Sequence, residues 1–444
     1  MSTYEPAQAI VALEARLAAT SRAQRPHEHA AVTYRLGLAY AESPIGNPTE
    51  NLRKALACYD VAAAIFDARY DPVENARVLN AAGAAHRGLG RAGQAAKLFE
   101  QAADLLKGHD RAPERAAALN NLGLARAEAG DLVAALATYG EAAAEFDDTT
   151  AEGRRGRAAA LHNRGLAHAA PGTVEGLEAA LVDYAEAAAS VDDEEAPYHH
   201  GLIAHSAGVA STALSARRPA DRRRLLADAI TSFERALGVF TRLAFPYQHA
   251  LARHNMGRAL AATGDHDNLR RALACYEESV AMLDPRVHKD MWHQAYASLE
   301  AVEAQLADHP APPAPGRVGH FAALVAVCDP GERRQLLRER LTRLVALPVE
   351  AQHGALVELA LASVAAGADN GRAHIEAELG VFMELPTEAL DAGLAARLDA
   401  HGRLAEADRE PADRAFDLAI GDALGLSQRI AIRDRLTSMG FERP

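Results

Sequence analysis

The side chains best suited to chemistry in this chain are histidines and asparagines, and they recur in pairs at one kind of place. Nineteen histidines are spread over 444 residues. Six glycines, Gly37, Gly83, Gly123, Gly165, Gly208 and Gly257, follow one another at intervals of 46, 40, 42, 43 and 49 residues. Three and two positions before them stand Tyr34 and Arg35, Asn80 and Ala81, Asn120 and Asn121, His162 and Asn163, His205 and Ser206, and His254 and Asn255. An amide offers both donors and an acceptor, and a neutral imidazole one of each, so such a row suits the main chain of an extended peptide. The same groups can instead satisfy neighbouring backbone or bridge adjacent elements. His162, His205 and His254 on one wall also admit a shared metal, but the HExxH and paired Cys-x2-Cys spacings of zinc sites are absent. Polar recognition is therefore the expectation, with some pH sensitivity from the imidazoles.

Other chemistries find little footing. The chain has no G-x4-G-K-[ST] phosphate loop, no dinucleotide fingerprint and no G-x-S-x-G elbow. Gly88-Leu89-Gly90-Arg91-Ala92-Gly93 has G-x-G spacing but sits between two helical segments, where it reads as a turn. Cys58 and Cys275 occupy the same place in two repeats and read as small packing residues, and Cys328 has no base beside it in sequence. No enzyme activity and no cofactor are expected.

What would position the polar row is a second recurring signature, an alanine, an aromatic four residues later and a small residue three after that. It reads Ala55-Tyr59-Ala62, Ala95-Phe99-Ala102, Ala135-Tyr139-Ala142, Ala180-Tyr184-Ala187, Ala229-Phe233-Ala236 and Ala272-Tyr276-Ser279. In the second and third copies the glycine lies 12 residues before the alanine and 16 before the aromatic. A pair of helices explains this. The glycine lets the first helix approach, the alanines keep the second close, and the aromatic fills the seam.

This pattern resembles the tetratricopeptide repeat family, with Leu-Gly on helix A and Ala-x3-aromatic on helix B, over residues 25–308. The resemblance implies an all-α, right-handed superhelical solenoid of six to seven hairpins whose A helices line a concave groove. The repeats exceed the ~34 residues of the basic unit, carry insertions such as 43–48 and 215–221, and lack the closing proline. They are similar in this to kinesin-light-chain-like arrays and to the bacterial arrays associated with CHAT proteases, although no protease domain is visible. The resemblance implies partner binding in the groove through Asn80, Asn120, Asn121, His162, Asn163, His205, His254, Asn255 and Arg258. Of the positions just after the glycines, Leu38, Ala84, Leu124, Leu166, Val209 and Arg258, only the last is basic. The carboxylate clamp of chaperone-binding relatives is thus mostly missing.

Composition agrees. The chain is 49% hydrophobic but only 5% aromatic, as expected of helices that meet through alanine rather than of strands. A formal charge of −13 argues against nucleic acid as the main partner. Arg217, Arg218, Arg222, Arg223 and Arg224 form the one basic cluster. They read as a solvated loop and helix start, with an acidic partner as the alternative. Asp192-Asp193-Glu194-Glu195 reads as a soluble connector. No signal peptide or membrane span is apparent, so a cytoplasmic protein is expected.

Residues 1–24 are expected to form a capping helix with Ile10, Leu13 and Leu17 on one stripe, and 289–308 a seventh A helix carrying Trp292. A proline-rich linker at 309–318 would separate the array from a C-terminal helical domain at 319–444. Within it, 331–347, 351–366, 372–385 and 413–424 show helical spacing. Ala368-Asp369-Asn370-Gly371 and Leu424-Gly425-Leu426-Ser427 resemble parts of a tellurite-resistance-type bundle. A further pair of degenerate hairpins is the alternative. The function expected is that of an adaptor or regulator holding a protein or peptide segment. The alternatives are a peptide or small-molecule sensor controlling the C-terminal domain, and a metal protein or enzyme built on the histidines. Peptide-responsive bacterial regulators resemble the sensor plan, but the DNA-binding helix-turn-helix they usually carry is not identifiable here.

Overall fold

Prolines 26, 72, 113, 197 and 246 each lie in the first turn of a helix, where a missing N–H removes no hydrogen bond. Asn47, Asp131, Thr150 and Thr173 cap other helices by accepting from a backbone N–H three residues on. The tight turns inside the second and third hairpins place Gly90 and Gly130 at φ values of 72° and 87°, which only glycine adopts freely. The G-x-G segment is thus a turn.

A computed structural model describes residues 4–191, 194, 196–306, 321, 325, 328–346, 349–365 and 368–440. Among these residues there are twenty α-helices and no strand. In order they are α1 (Tyr4–Ala19), α2 (Pro26–Ala41), α3 (Pro48–Ala63), α4 (Pro72–Gly88), α5 (Ala92–Leu106), α6 (Ala112–Glu128) and α7 (Leu132–Glu145). Then come α8 (Ala151–Ala169), α9 (Val174–Ser190), α10 (Pro197–Ser215), α11 (Arg222–Val239), α12 (Pro246–Ala262), α13 (His266–Met282) and α14 (Lys289–Gln305). The last six are α15 (Pro330–Val345), α16 (Val349–Ala365), α17 (Ala368–Phe382), α18 (Thr387–Gly402), α19 (Glu406–Ala423) and α20 (Leu426–Ser438).

The chain divides into two compact units, Met1–Asp265 and His266–Pro444. In the first, α2 pairs with α3, α4 with α5, α6 with α7, α8 with α9 and α10 with α11, and each second helix also packs on the next first helix. This is an all-α row of hairpins. Consecutive first helices touch, α2 with α4 and so on to α12. The stripe of Ile10, Leu13 and Leu17 is half-buried on α1, which packs against α2. The sixth signature is split, with Gly257 in the first unit and Ala272-Tyr276-Ser279 in the second. In a solenoid each repeat touches only its neighbours, so a division by contacts can fall between any two helices of the array. The linker expected at 309–318 lies outside the described residues, as do Asp192, Asp193 and Glu195 of the acidic connector.

The second unit is put together differently. After α13 and α14, which pack on one another, α15 packs on α17, α16 on α18 and α17 on α19. Pairing of alternate helices makes this part a bundle rather than a row of hairpins. Four expected helices are present, although α19 begins before Pro411 and runs through it. The helices α18 and α20 were not singled out by spacing.

The seams of the first unit are built as the signature implies. Every signature alanine and aromatic in it is buried. A Cβ placed on Gly37, Gly83, Gly123 or Gly208 would come within 2.5–2.7 Å of the aromatic ring of its own repeat, and Gly165 stands against Tyr184 in the same way. Gly123→Ala is expected to cost about 1–3 kcal/mol by overpacking, and Tyr139→Ala roughly 3–5 kcal/mol by leaving a cavity. Because the two groups touch, the double variant should lose clearly less than the sum. Urea denaturation of the four proteins checks this, and additive losses would mean that ring and glycine do not press on each other.

Candidate functional site

The six glycines lie on α2, α4, α6, α8, α10 and α12, and the polar pairs are one turn before them on the same helices. Consecutive first helices also touch one another, and these pairs meet there. Asn121 Nδ2 donates to Asn80 Oδ1 at 3.1 Å, and Asn163 Nδ2 to Asn120 Oδ1 at 3.1 Å. His162 Nε2 lies 2.9 Å from Ser206 Oγ, and Asn255 Nδ2 3.0 Å from His205 Nε2. The register is constant. The residue two before one glycine meets the residue three before the preceding glycine, so the row is a set of rungs between neighbouring helices. Ala81 interrupts it opposite Tyr34, having no polar group to offer.

Each rung is half-buried. Tyr34, His162 and His205 also lie against the aromatic of their own repeat, with ring centroids 6.0, 5.6 and 5.7 Å from Tyr59, Tyr184 and Phe233. Eight of the nine expected site residues thus share one row. Arg258 stands at its end with Nη1 3.5 Å from Asn255 Oδ1, while His254 is buried. Of the two uses open to these side chains, bridging of adjacent elements is thus present, and the rungs remain only half-buried.

Burial sets the charge of the row. It lowers the pKa of His162 to about 4, helped by His199 and His205, that of His205 to about 4, and that of His254 to about 4 with help from Arg258. All three are neutral at pH 7, so the pH sensitivity expected of free imidazoles moves to acid. His162 turns to Ser206 and His205 to Asn255, a geometry that does not converge on one metal ion. Among the described residues no three His, Cys, Asp or Glu side chains do so.

Some polar contacts have no counterpart in the sequence reading. Asn75 Nδ2 donates to Phe66 O at 2.5 Å, and His249 Nδ1 lies 2.6 Å from Phe240 O. Each polar residue is nine positions after a buried aromatic that follows a second helix and itself stands seven after the signature aromatic. That shared spacing is the signal that could have found them. Arg164 Nε donates to the buried Asp183 Oδ1 at 2.9 Å, tying α8 to α9.

No family model matches the chain, and no curated protein does. Solved structures do. The chain is 14% identical to a Rap protein complexed with Competence and Sporulation Factor, covering 63% of this chain and 76% of that one with a TM-score of 0.38. It is 14% identical to a monomeric mutant of IFIT1 with m7Gppp-AAAA, covering 87% and 71%, TM-score 0.44. It is 14% identical to the Rap conjugation gene regulator of the plasmid pLS20 in complex with the Phr* peptide, covering 65% and 80%, TM-score 0.37. All three scores are low, and the helical-repeat architecture stands on the chain's own hairpins. The finer likeness to kinesin-light-chain and CHAT-associated arrays has no counterpart among these three.

The rungs contribute to stability. Asn121→Ala leaves Asn80 Oδ1 without its donor and should cost about 1 kcal/mol, and Asn163→Ala the same, read as a fall in the urea midpoint. For the histidines, depressed folded-state pKa values mean that the unfolded chain binds more protons between pH about 6.5 and about 4. Stability should therefore fall as pH drops through that window, by up to about 1.4 kcal/mol per pH unit for each group. Urea midpoints at about pH 7 and about pH 5.5 test this, and the fall should shrink in the His162→Gln, His205→Gln, His254→Gln variant.

Proposed function

We propose that the first unit is a non-catalytic docking module that holds a protein or peptide segment along the polar row of its first helices. The observation that carries this reading is the set of rungs. Asn121 and Asn163 each use one amide N–H on a neighbour, which leaves a second N–H and the carbonyl oxygen of each amide for another partner. Pairing fixes their orientation beforehand, and groups held in place lose less entropy when a ligand binds. Beside them, Leu166 and Val209 are 46% and 38% exposed on α8 and α10. Apolar side chains next to fixed amides suit an extended segment, whose backbone bonds and whose side chains pack.

The division into a capping helix at 1–24, an array at 25–308 and a helical domain at 319–444, joined by the segment 309–318, belongs to this reading. So do a cytoplasmic setting and a protein rather than a nucleic acid as partner. None of the described helices is long and apolar enough to cross a membrane.

Affinity capture with the full chain from its native cell, followed by mass spectrometry, is expected to return a protein or peptide. Its affinity should fall about tenfold or more in the Leu166→Ser, Val209→Ser variant. The melting temperature of that variant should stay unchanged, because both side chains are exposed. A captured partner that binds the variant as tightly as the parent would place docking elsewhere, and a small compound or a nucleic acid in its stead would overturn the reading.

A further inference from the structure

An apolar side chain accompanies the rungs on each of three consecutive first helices. Three residues after the second member of the polar pair, and so one turn along the same face, stand Leu124 on α6, Leu166 on α8 and Val209 on α10. Leu124 packs against the seam of Ala135 and Tyr139, while Leu166 and Val209 are exposed. On α4 the same position holds only Ala84, so this stripe weakens on the helix where Ala81 interrupts the rungs. On α12 it ends at Arg258. Rungs and stripe therefore run together unbroken over α6, α8 and α10. No side chain of either row on these three helices is charged at neutral pH, since burial holds His162 and His205 in the neutral form.

Spacing decides what can lie across these helices. Successive first helices touch, and the axes of helices in contact are ~8–10 Å apart. Each helix offers one apolar contact beside its polar pair, so a ligand has to repeat one face once in that distance. A β-strand repeats a face after two residues, about 6.8 Å, and again after four, about 13.6 Å. It falls out of step within a single repeat. An α-helix regains its face after two turns, about 10.8 Å, but its backbone groups are bonded internally and would leave the rungs unused. A polyproline-II helix returns to the same face every ~9.3 Å, with a turn of three residues and no internal hydrogen bonds. Its period matches the helices, and its backbone groups remain available to the asparagines.

We propose that the face of α6, α8 and α10 binds an uncharged polyproline-II segment with an apolar side chain at every third residue. Those side chains meet Leu124, Leu166 and Val209 in turn, and the backbone between them bonds to the rungs through the free N–H and carbonyl oxygen of Asn121 and Asn163. Such a segment is ordered before it binds, which lowers the entropy lost on docking. This assignment rests on the docking reading of the first unit and names the conformation and the period of what docks there.

The test titrates the full-length protein by calorimetry with three acetylated, amidated peptides that carry no charge. The first is built of four Leu-Pro-Pro triplets and has the proposed period. The second has the same composition with its leucines gathered at every second position. The third alternates leucine with serine and has the period of a strand. The first should bind at least about tenfold more tightly than either of the others. Its affinity should fall at least about tenfold in the Leu166→Ser, Val209→Ser variant, with the melting temperature unchanged because both side chains are exposed. Raising the salt from about 0.05 M to about 0.5 M should leave that affinity in place, as no charge is involved. No binding of the first peptide, equal or tighter binding of either control, unchanged affinity in the variant, or loss of affinity with salt would each overturn the proposal. The two readings fail separately. Binding of the alternating peptide that disappears in the variant keeps the docking module and removes the polyproline-II assignment. Period-three binding that disappears in the variant, with no protein or peptide captured from the native cell, keeps the preference of the row and removes the module.

Discussion

The contact on which the first unit depends is the press of an aromatic ring from each second helix onto a glycine of the first. At Gly123 the space that a Cβ would occupy is taken by Tyr139, with Cε1 only 2.5 Å from that point. No other residue allows this distance, so the glycine sets how closely the two helices run. The alanines at either side of the ring, fully buried in every hairpin of the unit, keep the rest of the seam as thin. A chain that packs its helices this way needs one ring per hairpin and little other bulk, which is why alanine is its commonest apolar residue. The same device recurs outside the signature, where Phe240 fills the space beside Gly201 and, in the second unit, Phe382 the space beside Gly393.

Thin seams have a consequence for the polar row. When first helices of successive hairpins are drawn together, side chains one turn before the glycine cannot avoid each other, and apolar groups there would close the surface. Asparagine, serine and histidine instead exchange hydrogen bonds across the gap at 2.9–3.1 Å. The row was legible from the chain because its members keep a fixed distance from a glycine. Their pairing was not, since spacing along one helix does not say which groups of the next repeat lie opposite. The one hint was composition, in that both positions before the glycine are polar from the third glycine onward, where the rungs run unbroken, while at the second Ala81 stands beside Asn80.

The second unit shows the limit of periodicity in another way. Most of its helices could be placed from apolar spacing, and Pro330 and Thr387 begin two of them. Which helix pairs with which could not, because a helix with one apolar stripe packs equally well on its neighbour or on the next but one. A polar group of residues inside the bundle ties three of its helices together. Arg397 of α18 is ion-paired with Glu378 of α17, and its Nη1 donates to Ser363 Oγ of α16 at 2.6 Å, all three buried. A buried guanidinium without those partners would be costly, so the three helices are held in one arrangement. Nothing in the local sequence marks these three as partners, as each alone reads as a surface residue.

Charge follows from the same packing. The imidazoles of the row are kept neutral by the burial that makes the rungs, so at neutral pH the rungs themselves present dipoles without net charge. Arginines stand at both ends of the row, Arg35 beside the first glycine and Arg258 beyond the last rung, and both are exposed. A neutral backbone therefore has favourable partners along the row. Because each rung repeats the one before it, hydrogen bonds alone would not fix the register of a bound segment, and apolar contacts such as those offered by Leu166 and Val209 would have to do so.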